Sequence, residues 1–210
     1  MSYKWNQEGA SLDTSNNLSV SGTITSTGGF VGNLVTPAAT AEHGAGAIGT
    51  GTILAPQTRR WTENGIITTQ IKVDITGLSI TGTAQGAAIG LAGVDGCYIG
   101  RYVLATYGVI YKVEMACLVA ATKGVGTAIE ADIDLCYTTA ADVKSGEDVD
   151  VDIITAGRDW AAGEMVQTIL PGALTDGDYL YLAGGDTAGN ACKYATGQFI
   201  ITMYGHAALA

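Results

Sequence analysis

An all-β fold is predicted for this chain by three observations. Apolar and polar residues alternate with period two in several stretches, glycine-rich turn clusters separate those stretches, and no long helical pattern is present. Glycine supplies 30 of 210 residues, about one in seven and roughly twice the usual share. That weighs against helices, because an interior glycine costs about 1 kcal/mol relative to alanine. Hydrophobic residues make up 47% and charged residues 14%, too apolar and too weakly charged for a disordered chain. The glycines follow no three-residue period, so a collagen-like helix is excluded. The architecture expected is an extended N-terminal arm over residues 1–60, followed by an antiparallel β-sandwich or jelly-roll-like domain over residues 61–210.

The arm is rich in Ser, Thr, Gly, Ala and Asn, with thinly scattered apolar residues. Leu18-Ser19-Val20-Ser21-Gly22-Thr23-Ile24-Thr25 alternates as a short strand and places Leu18, Val20 and Ile24 near one face. Gly28-Gly29 interrupts it before Phe30-Val31. From Pro37 to Gly51 the composition is that of a flexible Ala/Gly linker, either loose or ordered by another surface. Too few apolar residues are available here to offset the ordering entropy alone.

Beyond residue 60 the pattern tightens. Ile67, Thr69, Ile71, Val73 and Ile75 alternate with Thr68, Gln70, Lys72 and Asp74, as in a strand with one buried face. Val109, Tyr111, Val113, Met115, Cys117 and Val119 line one side of a long strand, with Lys112 and Glu114 opposite. Ile129, Ala131, Ile133, Leu135 and Tyr137 repeat the design against Glu130, Asp132 and Asp134. Tyr179–Leu182 and Phe199–Tyr204 complete the series, with Asp176-Gly177, Gly184-Gly185 and Gly189-Asn190 as turns. The longest stretch compatible with a helix is Thr138–Lys144.

Charge and motifs narrow the function classes. Twenty acidic against ten basic residues give a net charge of −10, the wrong sign for nucleic acid or an anionic membrane surface. No apolar run reaches the ~20 residues of a spanning helix, and the N-terminus lacks a signal-peptide core, so cytoplasmic synthesis is expected. Cys97, Cys117, Cys136 and Cys192 are too widely spaced for a metal knuckle and read as reduced, packed thiols, although a disulfide between some pair stays open. His43 and His206 belong to no ligand spacing, and neither a nucleophile elbow nor a phosphate loop occurs. Neither cofactor, metal nor catalytic residue is therefore assigned. Glu147–Asp152, Asp176/Asp178 and Asp132/Asp134 read as solvated strand faces, with a structural cation as the rival interpretation.

Partner-binding residues are easier to nominate. Tyr3 and Trp5 are large aromatics in a segment unable to bury them, the residue types enriched at interface hot spots. Arg59 and Arg60, followed by Trp61, form an adjacent basic pair at the expected arm–domain junction. They face either an acidic partner surface or carboxylates of their own chain.

The run Asn17-Leu18-Ser19-Val20-Ser21-Gly22-Thr23-Ile24-Thr25-Ser26-Thr27-Gly28-Gly29-Phe30-Val31-Gly32-Asn33-Leu34 resembles segments of tailed-bacteriophage fibre and head-appendage proteins. It does so in its alternation, its glycine placement and its Gly-Phe-x-Gly-Asn ending. The resemblance implies short intertwined trimeric β segments that join an attachment region to a globular β domain, a layout shared with capsid decoration proteins. It further implies a non-enzymatic virion protein, a head decoration (cement) protein. Its partners would be the major capsid protein and copies of itself in a homotrimer, through Tyr3, Trp5, Leu18, Val20, Ile24, Phe30, Arg59, Arg60 and Trp61. Two alternatives are a tail-fibre or receptor-binding subunit that takes a host-surface glycan, and a jelly-roll carbohydrate-active enzyme using Asp132, Asp134 or Asp150.

Overall fold

The computed structural model describes residues 10–12, 18–20, 42–82, 85–126, 130–149, 151–169, 174–185 and 191–207. The chain divides into two compact units, Met1–Thr36 and Pro37–Ala210. In the first, β1 (Ala10–Leu12) and β2 (Leu18–Val20) pair antiparallel, with Ala10 opposite Val20 and Leu12 opposite Leu18. A ribbon of two such short strands is not stable alone in water.

The second unit is all-β and antiparallel. After a single 3-10 turn at Ala45–Ala47 come β3 (Gln57–Glu63), β4 (Ile66–Asp74), β5 (Ser79–Ile80) and β6 (Gly100–Arg101). The helix α1 (Leu104–Tyr107) comes next, then β7 (Val109–Gly126), β8 (Ile133–Thr138), β9 (Val151–Ile154), β10 (Met165–Thr168), β11 (Tyr179–Gly184) and β12 (Cys192–His206). One sheet runs β10-β7-β12-β4-β3, with β5 also on β12; the other runs β6-β11-β8-β9. Thr138–Lys144 holds no helix: Thr138 ends β8 and the rest is loop. No helix among the described residues is long and apolar enough to cross a membrane.

Period-two alternation puts the apolar sides of both sheets into one core. Ile71 and Val73 of β4, Val113, Met115 and Cys117 of β7, and Phe199, Ile201 and Met203 of β12 belong to the same cluster as Ile133 and Leu135 of β8 and Leu180 and Leu182 of β11. Trp160 closes one part of it, its ring edge-on to Phe199 at 5.8 Å while its indole N–H donates to the Ile133 carbonyl at 2.7 Å. The expected apolar side of β7 is only partly realised. Val109 and Val119 are exposed, because register shifts along the β7–β12 pairing rotate the strand ends away from the core.

Two expectations are corrected. The first concerns the acidic residues leading into and within β8. Glu130, Asp132 and Asp134 are buried, not solvated, at 5%, 7% and 2% exposure, and Asp178, also expected to be solvated, is buried as well. The outer face of the small sheet carries a second apolar cluster in which Tyr181, Ala183 and Cys136 pack against Ala88, Cys97, Val143 and Val149 from the covering loops. The second concerns the linker. Residues 42–60 belong to the β unit, so the boundary lies near residue 37 and not near residue 60. Gly44 N–H donates to Tyr98 O at 2.9 Å, Gly46 N–H to Gly96 O at 2.9 Å and Thr50 N–H to Thr76 O at 2.8 Å. A Cβ on Gly44 would lie 1.9 Å from Gly96 O. Glycine here serves close backbone approach.

Candidate functional site

The predicted basic pair lies on β3, an outer strand of the large sheet. Asn64 (φ 51°) and Gly65 (φ 79°) form the two-residue turn that returns the chain into β4. Alternation sends Arg59 and Trp61 outward, both exposed, while Arg60 is half-buried on the opposite side. The two arginines therefore meet different environments although they are adjacent.

Arg60 answers the question posed by its sequence neighbourhood: it pairs with a carboxylate of its own chain. Its two terminal nitrogens donate to Glu42 Oε1 at 3.1 Å and Oε2 at 2.8 Å, a fork-to-fork pair, and Nε donates to Thr69 Oγ1 at 3.0 Å. The guanidinium carbon stands 4.5 Å from the Tyr107 ring centroid. Burial pushes the Tyr107 hydroxyl up to about 12, against the opposing pull of Arg60. Tyr107 is positioned by α1 and packs edge-on against Tyr102 at 5.7 Å; the Tyr102 hydroxyl donates to Gly108 O at 2.9 Å.

Beside this pair opens a cavity of about 400 Å³ lined by Glu42, Tyr98, Arg101, Val103, Thr106, Tyr107 and Tyr179, a volume within the ~300–1,000 Å³ of small-molecule sites. Arg101 and Tyr179 are register partners across β6 and β11. The Arg101 guanidinium stands 5.4 Å from the Tyr179 ring centroid. Tyr98 meets the edge of Tyr179 at 4.8 Å and lies 6.3 Å from Tyr181. The Tyr181 hydroxyl donates to Ala140 O at 2.6 Å, which ties this aromatic wall to the covering loop.

A second recess, of about 200 Å³, is acidic and is lined by Gln85, Gly86, Asp134, Asp148, Val149, Asp152, Gly184 and Gly185. Asp134 Oδ1 accepts the Ala156 N–H at 2.8 Å and Asp152 Oδ1 accepts the Cys136 thiol at 3.1 Å. Burial, followed by the Asp152 carboxylate, pushes that thiol far above its ordinary range. No group of three or more His, Cys, Asp or Glu among the described residues is arranged to hold a metal ion. All four cysteines are free and buried.

Of the other predicted partner residues, Leu18 and Val20 lie in β2, whereas Tyr3, Trp5, Ile24 and Phe30 lie outside the described residues. The cavity itself was missed by sequence reasoning, since Tyr98, Arg101, Tyr107 and Tyr179 share no periodic spacing. The Asn64-Gly65 pair is the signal by which β3 could have been found. No protein family, curated protein or solved structure matches the chain.

Proposed function

We propose that the chain is a non-enzymatic structural protein of a tailed-phage virion, a capsid decoration protein. In this reading the N-terminal unit attaches to the head and the β unit, a β-sandwich of jelly-roll type, faces outward. The observation that supports it most is the inequality of the two units. Among the described residues of Met1–Thr36 the paired strands are three residues each, whereas Pro37–Ala210 encloses a continuous two-sheet core. A unit of the first kind gains its order from a partner surface or from copies of itself. The fibre-like run at Asn17–Leu34 falls within that first unit, and a homotrimer would pool the few apolar residues its sequence carries. The −10 charge keeps an abundant surface protein soluble before assembly.

Two measurements test this together. Size-exclusion chromatography with light scattering is expected to show a trimer, and cryo-electron microscopy of the source particle is expected to place the chain on the head. A clean monomer that binds no heads overturns the reading. A second reading, a receptor-binding subunit that takes a host-surface glycan, draws on the tyrosine-lined cavity. Density for the chain on the tail and not on the head favours it.

A further inference from the structure

We propose that the cavity between Tyr98, Arg101, Thr106, Tyr107, Tyr179 and Glu42 binds a carboxylate-bearing sugar, a pyranose unit of an acidic glycan. The assignment rests on the glycan reading, which it sharpens, and does not depend on head attachment. Its basis is the unequal state of the two arginines around the cavity. Arg60 is matched fork-to-fork by Glu42. Arg101 is exposed and has no ion-pair partner among the described residues; its guanidinium stands over the ring of Tyr179. Asp176 and Asp178 on the neighbouring turn have carboxylate oxygens that accept the backbone N–H groups of Leu104 at 2.8 Å and Thr175 at 2.7 Å. The cavity thus holds an unmatched cation in a protein of net charge −10. A guanidinium presents a planar donor fork suited to a carboxylate.

A bare anion would satisfy only half of the lining. Glu42 also borders the cavity, and the fork from Arg60 uses two of the roughly four lone-pair positions of a carboxylate. The remaining positions accept hydroxyl donors without an added charge, because Arg60 already balances Glu42. An ammonium group would gain little from that neutralised pair. Thr106 adds a hydroxyl, and the rings of Tyr98, Tyr107 and Tyr179 add apolar surface, with phenolic oxygens on Tyr98 and Tyr179. A sugar acid has the matching parts: one carboxylate, several hydroxyl donors and an apolar C–H face. The walls are preorganised, since Tyr98 O accepts from Gly44 N–H at 2.9 Å and Tyr102 N–H donates to Asp178 O at 2.7 Å.

The test is calorimetric titration of the full chain with glucuronic acid, N-acetylneuraminic acid, glucose and inorganic phosphate. At least one of the two acidic sugars is expected to bind, with glucose and phosphate at least tenfold weaker. Arg101→Gln is expected to weaken that binding tenfold or more at an unchanged melting temperature. Arg101→Lys, which keeps the charge and loses the fork, should fall between. Equal binding of glucose overturns the carboxylate assignment and leaves the glycan reading standing. Competition by phosphate at equal concentration reduces the cavity to a simple anion site and overturns the proposal. Failure to bind any of the saccharides at millimolar concentration overturns both this assignment and the glycan reading. Should Arg101→Gln fail to fold, undiminished binding by Arg101→Lys overturns the fork, and a measurable loss supports it.

Discussion

Asp74 is expected to be the side chain whose loss most loosens the residue 50–53 segment from the β unit. It is 2% exposed at the end of β4. Its carboxylate accepts from Thr76 Oγ1 at 2.6 Å, Thr76 N–H at 3.0 Å, Gln198 Nε2 at 3.0 Å, Ile53 N–H at 3.3 Å and Thr52 Oγ1 at 3.4 Å. Bonds to a charged acceptor contribute about 1.5–3 kcal/mol each, and the two longest stand at the weak end. Because the five share one acceptor their contributions overlap. Asp74→Ala is therefore expected to cost about 3–5 kcal/mol, which for a unit of this size lowers the melting temperature by roughly 6–20 °C. Burial pushes the Asp74 carboxyl up, but the donors from Thr76, Ile53 and Gln198 outweigh it and hold it below the ordinary range. Since the folded value lies below the unfolded one, this contribution is complete above about pH 3.9. It is lost as the pH falls through the folded value. Thermal melts of wild type and Asp74→Ala between pH 7 and pH 2 read both effects. Identical melting temperatures at pH 7, or a difference that stays constant into acid, would refute the reasoning.

Three further outcomes are expected. Gly44→Ala should destabilise by more than about 2 kcal/mol in urea titrations, because the new methyl would collide with Gly96 O; a flexible linker would instead gain about 0.4–1 kcal/mol. Glu130→Gln should stabilise the protein at pH 8 and matter less at pH 4. Burial, against a backbone donor from Asp132 and reinforced by the charges of Asp132 and Asp159, raises the Glu130 carboxyl above its ordinary value. Wild type therefore loses stability as the pH rises through that folded value, and a urea midpoint difference independent of pH would count against it. Trp61→Ala should change stability by no more than the ~0.5 kcal/mol typical of surface changes while weakening attachment, since the ring is 45% exposed on an outer strand. Unchanged co-sedimentation with heads would remove Trp61 from the interface.

The strands legible in the sequence are those whose two faces differ in polarity. β4 and the middle of β7 obey period two because each has one side in the core. The same rule misplaced Glu130, Asp132 and Asp134. Alternation separates two faces but carries no information on what covers the polar one: here loops bearing Val143 and Val149 pack over Cys136 and Tyr181, while Gly184 and Gly185 approach Glu130 and Asp132. β3 escaped notice because its apolar residues are few: the outer strand leaves Arg59 and Trp61 in solvent and buries only part of Arg60. Composition equally cannot distinguish glycines that give freedom from glycines that allow contact, and Gly44 and Gly46 belong to the second kind. Arg60 was identified by its neighbours in sequence, but Glu42 lies 18 residues away and Tyr107 comes from a short helix 47 residues on, so no local pattern joins them.

The sequence by itself determined the all-β class, the placement of the main strands and the negative charge, because these arise from local alternation, turn residues and summed ionisable groups. Only the tertiary structure decided that the small sheet is covered on both faces and that the glycine-rich stretch docks onto the β unit. It also set the unequal fates of the adjacent arginines. Each of those depends on residues distant in the chain approaching within a few ångströms, and only the folded backbone sets such distances.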